Sequence, residues 1–263
     1  MELDNYLAVA ERAARDAGRL LRQWRGKFDV REKAPADLVT DADLAAQQCI
    51  RDILLGEFPD HGFLAEEEGT AADRPGTLRW IVDPLDGTTN YVHGVPFYAV
   101  SIGLEREGRP IVGVLYDPVR DACFRAAEGK GTWCGQQRLI VSTASSLHEA
   151  LVVTSFPPGI RRSDKQVEYF LRVLGQAQSV RRTGSASLNL AYIAMGKFDA
   201  FWSTSLSAWD MAAGVLLVTE AGGRCTDLDG SPLRLEGRRL LATNGTTLHE
   251  EFVGVLRDAD AGA

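Results

Sequence analysis

The chain has 263 residues, of which 45% are apolar and 25% are charged, which is typical of a globular protein and excludes a disordered or fibrous chain. Its 29 basic and 36 acidic residues give a net charge of −7, and because an acidic surface repels phosphate backbones we expect no nucleic-acid partner. The four cysteines are scattered without a C-x-x-C pair, which argues against a disulfide framework or a thiolate zinc site.

Two helices are predicted at the start of the chain. Apolar residues recur at alternating steps of four and three from Leu3 to Trp24, which indicates an amphipathic helix. The segment Thr40-Asp41-Ala42-Asp43 has the pattern of a capping box, so a second helix is predicted to begin there. That helix is expected to end near Phe58-Pro59-Asp60.

From about residue 80 the pattern changes to a period of two, which indicates β-strands. Apolar residues alternate with small or polar ones over 100–105, and a turn leads into a second strand at 111–115. Asp117-Pro118 and the glycines at 129–131 then delimit two more short strands.

After residue 149 strands and helices alternate. This order predicts a layered α/β fold with an antiparallel first half and a more parallel second half. No change in composition isolates a domain, so we expect one domain over 1–263 with a soft subdivision near 150, into 1–149 and 150–263. The predicted elements are strands at 151–154, near Val180 and at 200–202, and helices at 164–174, 187–195 and 208–220.

A cytoplasmic location without a membrane partner is expected. The first residues lack the basic and apolar segments of a secretory signal, and scattered cysteines suit a reducing compartment. The longest apolar run, at 211–218, is far shorter than the ~18 residues that a membrane span needs.

The strongest chemical signal lies at 80–90, where an apolar strand runs directly into Asp83 and Asp86. An ordinary Asp-Gly turn would give the same pattern. The functional interpretation is a site for a hard cation, since Mg²⁺ binds a few carboxylates, accepts carbonyls such as that of Leu85, and keeps several waters. The small residues from Gly87 onward would let backbone N–H groups approach a phosphate oxygen.

Other segments could complete this site, although each has a simpler explanation. The acidic run from Glu66 to Glu68 follows the apolar pair Phe63-Leu64, so a strand could deliver Glu66, but such runs are usually solvated loops. Ser207-x-x-Asp210 has the pattern of a helix cap. The segment at 184–187 opens a predicted helix and could bind an anion through free N–H groups, or be a turn.

The order of these segments resembles the inositol monophosphatase family of Mg²⁺-dependent phosphatases. That resemblance implies a layered αβαβα sandwich, a homodimer, two or three Mg²⁺ ions as cofactor, and inhibition by Li⁺. The likeness runs from Lys33 to Asn244, and the motifs that carry it are Glu66-Glu67, the segment from Asp83 to Thr88, and the segment from Trp209 to Gly214.

The resemblance also implies roles for individual residues. Thr88, Asp43 and Glu67 would be catalytic, with Thr88 and Asp43 orienting the attacking water. The metal ligands would be Glu66, Asp83, the carbonyl of Leu85, Asp86 and Asp210. The substrate-binding residues would be Gly87, Thr88, Asp86, Gly184, Ser185, Ala186, Ser203 and Asp210.

The implied function is Mg²⁺-dependent hydrolysis of a small phosphorylated metabolite by metal-activated water. Inositol 1-phosphate or a related sugar or polyol phosphate is the expected substrate, because Thr89-Asn90 stands where the nucleotidase and histidinol-phosphatase branches tend to carry Lys. Histidinol phosphate, fructose 1,6-bisphosphate and 3′-phosphoadenosine nucleotides are alternative substrates. A non-catalytic sensor of phosphometabolites is a further alternative.

The chain departs from the family pattern at three places. Ser203 stands where the inositol-specific branch carries a Glu that contacts substrate hydroxyls, so weaker selectivity for inositol phosphates is expected. Arg181 or Arg182 could supply the missing contact instead. Ala65 replaces the usual Gly before the two glutamates, and the spacing from Lys33 to Asp37 is one residue shorter than usual.

Overall fold

The computed structural model describes residues 2–34, 37–67, 78–157 and 159–261. Glu68 and Gly69 of the acidic run lie outside these ranges. The helices are α1 (Glu2–Trp24), α2 (Asp41–Glu57), α3 (Thr88–Val92), α4 (Lys165–Leu174), α5 (Ala186–Ala194), α6 (Ala208–Glu220) and α7 (Leu248–Ala261). The strands are β1 (Val30–Ala34), β2 (Asp37–Thr40), β3 (Gly62–Ala65), β4 (Leu78–Asp86), β5 (Ala99–Arg106), β6 (Arg109–Asp117), β7 (Ala122–Ala127), β8 (Thr132–Cys134), β9 (Gln137–Arg138), β10 (Leu151–Thr154), β11 (Ser179–Arg181), β12 (Ala200–Ser203), β13 (Arg224–Thr226) and β14 (Leu240–Thr243).

Both helices predicted at the start of the chain are confirmed. Helix α2 begins with the predicted capping box, in which the Asp43 carboxylate accepts the backbone N–H of Thr40 at 2.9 Å. It ends at Glu57 and is capped by Phe58, directly before Pro59, as predicted. A capping box is a contact between residues three apart, so the sequence pattern is sufficient to find it.

Strands β3 to β9 form a seven-stranded sheet in chain order. Only β3 and β4 are parallel; each later neighbour is antiparallel. The predicted turn between β5 and β6 is present, and Glu107 and Gly108 both have positive φ, at 53° and 78°. Two left-handed residues match the type I′ turn that fits the twist of a two-residue hairpin.

Strands β10 to β14 form a second sheet of five strands in the order β11-β10-β12-β14-β13. The prediction of a more parallel second half is confirmed for β10, which is parallel to β11 and β12. Strand β14 is antiparallel to β12 and β13, so two of the four pairings in this sheet are parallel, against one of six in the first sheet. Strands β13 and β14 are antiparallel because they follow one another without a helical crossover, and parallel neighbours need one.

The helices and sheets stack in five layers, which confirms the predicted αβαβα sandwich. One apolar core joins α1 and α2 to a face of the seven-stranded sheet, and a second joins its other face to α5, α6 and the five-stranded sheet. A third core packs α4 and α7 on the outer face of the five-stranded sheet. Both sheets are therefore covered on both faces, which explains why the alternate small and polar residues of β5 are also buried.

Helix α6 lies unusually close to the seven-stranded sheet. A Cβ atom on Gly113 would lie 2.6 Å from the carbonyl oxygen of Ala213, and one on Gly103 would lie 2.8 Å from Cβ of Ala212. The Ser101 hydroxyl donates to the carbonyl of Trp209 at 3.2 Å at the start of the helix. This approach brings the first turn of α6 to the end of β4.

In the part of the chain that the structure describes, we find no helix that is both long enough and apolar enough to cross a membrane.

Candidate active site

The site begins where β3 ends beside its parallel neighbour β4. Ala65 of β3 is paired with Val82 of β4, so Glu66, the first residue after β3, lies next to Asp83, which is still paired with Ser101 of β5. The prediction that a strand at Phe63-Leu64 delivers Glu66 is confirmed. The pairing of β4 is irregular between Asp83 and Asp86, and the Asp83 carboxylate accepts the N–H of Leu85 at 3.0 Å.

Three carboxylates meet at the end of β4. Asp83, Asp86 and Asp210 each offer an oxygen, and these oxygens lie within 4.8 Å of one another. Asp210 comes from the first turn of α6, where it accepts the N–H of Ser207 at 2.6 Å. The capping interpretation of Asp210 is therefore correct, and the same carboxylate also belongs to the cluster.

The cluster is electrostatically unfavourable by itself. Burial raises the pKa of Asp83 well above its ordinary value, and the charges of Glu66, Asp86 and Asp210 raise it further. Burial, with repulsion from Asp86, raises the pKa of Asp210 to about 8. Carboxylates that repel one another in a buried place favour either protons or a cation, and their hard oxygen ligands suit Mg²⁺.

The start of α5 holds Asp86 rather than offering free N–H groups. Its carboxylate accepts the Ser185 hydroxyl at 2.5 Å and the N–H groups of Ser187 and Ala186 at 2.7 and 3.2 Å. The expectation that 184–187 could bind a substrate anion through free N–H groups is therefore wrong for Ala186 and Ser187. Burial raises the pKa of Asp86, and the hydrogen bonds from Ser185 and Ser187 oppose that rise.

Thr88 links the cluster to Asp43. Its hydroxyl lies 3.2 Å from the Asp43 carboxylate and 3.0 Å from the carbonyl oxygen of Leu85, so it can donate its proton to either. Asp43 is fully buried, and burial raises its pKa to about 6 although hydrogen bonds from Thr40 lower it. The capping box of α2 thus positions a carboxylate beside the cluster.

Lys33 of β1 forms ion pairs with both Glu66 and Glu67. Its ammonium group lies 2.9 Å from a carboxylate oxygen of Glu66 and 2.9 Å from one of Glu67. Burial raises the pKa of Glu66, and the Lys33 charge lowers it. The side chain of Glu67 is 4% exposed, and its backbone N–H donates to Gln47 at 3.1 Å. Sequence patterns gave no signal for the contacts of Lys33 or Gln47.

A cavity of about 210 Å³ opens over the cluster. Gly87 lies at its floor with φ +92°, and a Cβ there would lie 3.2 Å from the carbonyl oxygens of Gly184 and Phe97. Only glycine fits such a position, and Gly87 and Thr88, at the start of α3, both line the cavity. The predicted site residues that line this cavity are Glu66, Asp83, Leu85, Asp86, Gly87, Thr88, Gly184 and Asp210.

A second cavity of about 680 Å³ adjoins the first and shares Asp86, Thr89, Gly184 and Asp210 with it. Ala186 also lines it. Ser203 was expected to contact substrate, but its side chain is 1% exposed and accepts the Ser155 hydroxyl at 3.0 Å, while Ser155 lines the cavity. The predicted site residues that are not among the lining residues of either cavity are Asp43, Glu67, Ser185 and Ser203.

Comparison with known proteins agrees with this geometry. An inositol-1-monophosphatase of Rhizobium meliloti is 41% identical over 90% of this chain and 91% of its own length. The Nus factor SuhB of Pseudomonas aeruginosa is 44% identical, again over 90% of this chain and 91% of its own. The crystal structure of the extragenic suppressor protein SuhB from Bartonella henselae superposes with a TM-score of 0.91 at 37% identity, covering 96% of this chain and 98% of that one.

The family model and the related inositol monophosphatases identify the class of protein as a phosphoric monoester hydrolase. The sequence model of the inositol monophosphatase family matches residues 2–261, so the chain belongs to that family, whose members are generally metal-dependent.

Proposed function

We propose that the chain hydrolyses inositol 1-phosphate or a related sugar or polyol phosphate, with Mg²⁺ as cofactor. The observation that carries this proposal is the cluster of Asp83, Asp86 and Asp210, whose oxygens lie within 4.8 Å of one another beside the start of α3. The relative named inositol-1-monophosphatase supports the substrate class.

The donor set of the smaller cavity fits Mg²⁺, because every proposed ligand atom is a carboxylate or carbonyl oxygen. We propose that two or three ions are held by Glu66, Asp83, the carbonyl of Leu85, Asp86 and Asp210. Bound there, Mg²⁺ supplies charge neutralisation for the phosphate and lowers the pKa of water. The charge of Lys33 offsets part of the charge of Glu66 at one side of this set.

Thr88 is proposed to orient the attacking water. Its single proton is donated inward, to Asp43 or to the Leu85 carbonyl, so its oxygen can only accept a hydrogen bond from a water in the cavity. A water that donates to the Thr88 oxygen keeps a lone pair that it can direct at the phosphorus of a phosphate bound in the smaller cavity. Asp43 fixes the Thr88 hydroxyl, and Glu67 is proposed as a positioning residue whose charge acts on Asp43.

The phosphate is proposed to bind at the N–H groups of Gly87 and Thr88, where the glycine leaves room for an oxygen to approach. The leaving group would then extend into the larger cavity, along Gly184 and Ala186. Ser185 contributes by holding Asp86, and Ser203 by accepting the hydroxyl of Ser155. Both are proposed to act on the substrate through those partners.

The homodimer is proposed from the family resemblance, the cytoplasmic location from the scattered cysteines, and inhibition by Li⁺ again from the family resemblance. Light scattering of the purified chain tests the first, and fractionation of cells that express it tests the second. A Li⁺ titration of the hydrolysis reaction tests the third, with K⁺ at equal ionic strength as the control.

The test of the proposed function is phosphate release from inositol 1-phosphate in Mg²⁺ and in EDTA, run beside glycerol 2-phosphate, histidinol phosphate and 3′-phosphoadenosine 5′-phosphate. We expect Mg²⁺-dependent turnover of inositol 1-phosphate and of the small polyol ester. A rate with histidinol phosphate or the nucleotide far above both would transfer the assignment to that substrate. No release from any ester would favour a non-catalytic sensor.

A further inference from the structure

The larger cavity has the size and lining of a leaving-group pocket. Its volume of about 680 Å³ falls in the usual range of small-molecule sites. One wall is apolar, from Phe156, Ile160 and Leu206, and the uncharged polar groups include Thr89 and Ser155. It shares Asp86 and Asp210 with the acidic cluster, so a leaving group joined to a phosphate bound there can extend into it.

Among its described lining residues, only three are ionisable: Asp86, Asp210 and Arg182. The two carboxylates belong to the cluster that is proposed to hold cations. Arg182 is therefore the charged group left to interact with a leaving group. Where β10 and β12 end, the hydroxyl of Ser155 donates to that of Ser203. Neither strand end therefore adds a carboxylate to the cavity wall.

Arg182 is exposed and has no carboxylate partner among the described residues. Its guanidinium carbon lies 5.7 Å from the centre of the Phe156 ring, which lines the same cavity. A cation over an aromatic face keeps its N–H donors available at the edge. The neighbouring Arg181 differs, because its guanidinium donates to the Ser179 hydroxyl and the Val180 carbonyl.

We propose that, among sugar and polyol phosphates, this site prefers an ester with a second anionic group, a carboxylate or a phosphate, on the leaving-group side, and that Arg182 binds this group and sets specificity for it. This inference rests on the proposed function. With the cluster neutralised by its cations, the cavity around the leaving group is net positive. A planar guanidinium matches both carboxylate and phosphate oxygens, so either group satisfies the chemistry.

Two matched pairs of esters test the inference and separate the two anions. 2-Phosphoglycerate differs from glycerol 2-phosphate by a carboxylate in place of a hydroxymethyl group, and inositol 1,4-bisphosphate differs from inositol 1-phosphate by a phosphate. The measured quantity is kcat/KM with Mg²⁺ for each ester, with release at the shared position followed by phosphorus NMR. The variants are Arg182→Ala and Arg182→Lys, with Arg181→Ala as the matched control.

In at least one pair, the wild type should favour the anionic ester, and Arg182→Ala should lower that preference about tenfold, mainly through KM. Arg182→Lys should retain part of the preference, and Arg181→Ala all of it. An equal loss for both members of each pair, or an unchanged ratio, would overturn the inference while leaving the proposed function intact. If the wild type hydrolyses none of the four esters, the proposed function fails and the inference fails with it.

Discussion

Replacing Asp210 by Asn should abolish turnover and yet stabilise the metal-free protein. The amide oxygen of Asn can still accept the N–H of Ser207, and Asn is as good a helix cap as Asp. What the substitution removes is a carboxylate crowded against Asp83 and Asp86. The perturbation therefore separates the electrostatic cost of the cluster from its local structural role.

The sign follows from proton binding. The unfolded chain releases the Asp210 proton near pH 4, while the folded chain keeps it until its pKa of about 8. Between these values the folded state binds more protons, so the free energy of unfolding of the metal-free wild type falls as pH rises. A shift of this size corresponds to about 5 kcal/mol at pH 8, at about 1.4 kcal/mol per pKa unit. Asp210 is partly exposed, and it shares its repulsion with the other carboxylates of the cluster. We therefore expect Asp210→Asn to raise the free energy of unfolding at pH 8 by about 2 kcal/mol.

The assay is chemical denaturation in EDTA at pH 8 and pH 4, followed by circular dichroism. Asp210→Asn should be more stable than wild type at pH 8 and nearly equal to it at pH 4, where the folded carboxyl is protonated and the unfolded one is about half protonated. The control, Asp60→Asn, removes an exposed carboxylate outside the cluster and should change neither value by more than about 0.5 kcal/mol. A variant less stable than wild type at pH 8, or a difference independent of pH, would refute the reasoning.

Substitutions at three further positions give distinct outcomes. Thr88→Ala should lower kcat about 100-fold with little change in KM, and Thr88→Ser should restore most of it; an effect on KM alone would reduce Thr88 to a binding residue. Gly184→Ala should destabilise the fold by about 2 kcal/mol in thermal denaturation, since φ is +89° and the new Cβ would lie 2.8 Å from the amide nitrogen of Asn90. Gly113→Ala should lower the free energy of unfolding by about 1–3 kcal/mol, because the new Cβ would lie 2.6 Å from the Ala213 carbonyl oxygen. A variant as stable as wild type would show that α6 can move away from the sheet.

The parts of the fold that depend on short-range chemistry were predictable from the sequence. The capping boxes at Thr40 and Ser207 involve residues three apart, and the turn at Glu107-Gly108 depends on local backbone conformation. No element was predicted after Glu220, although the apolar residues of α7 have helical spacing: Leu248, Phe252, Val255, Leu256 and Ala259. This spacing makes α7 predictable from the sequence as well.

The contacts that assemble the site are long-range, and periodicity carries no information about them. Asp86 and Ser185 are 99 positions apart, yet the hydroxyl of Ser185 fixes the Asp86 carboxylate. The Asp86 carboxylate also accepts the N–H groups of Ala186 and Ser187, so these groups are unavailable to a substrate anion. Ser203 shows a second limit of the sequence. The family resemblance implies a contact with substrate at this position, but it does not predict that the shorter serine side chain is buried.

The central claim is that Asp83, Asp86 and Asp210 hold the divalent cations used in hydrolysis. Crystals grown with Mn²⁺, which prefers the same oxygen ligands as Mg²⁺, test it through anomalous scattering. We predict anomalous peaks among these three carboxylates in the wild type, and their loss or weakening in Asp83→Asn. Peaks only elsewhere on the molecule, or an empty cluster at Mn²⁺ concentrations that support phosphate release, would contradict the account.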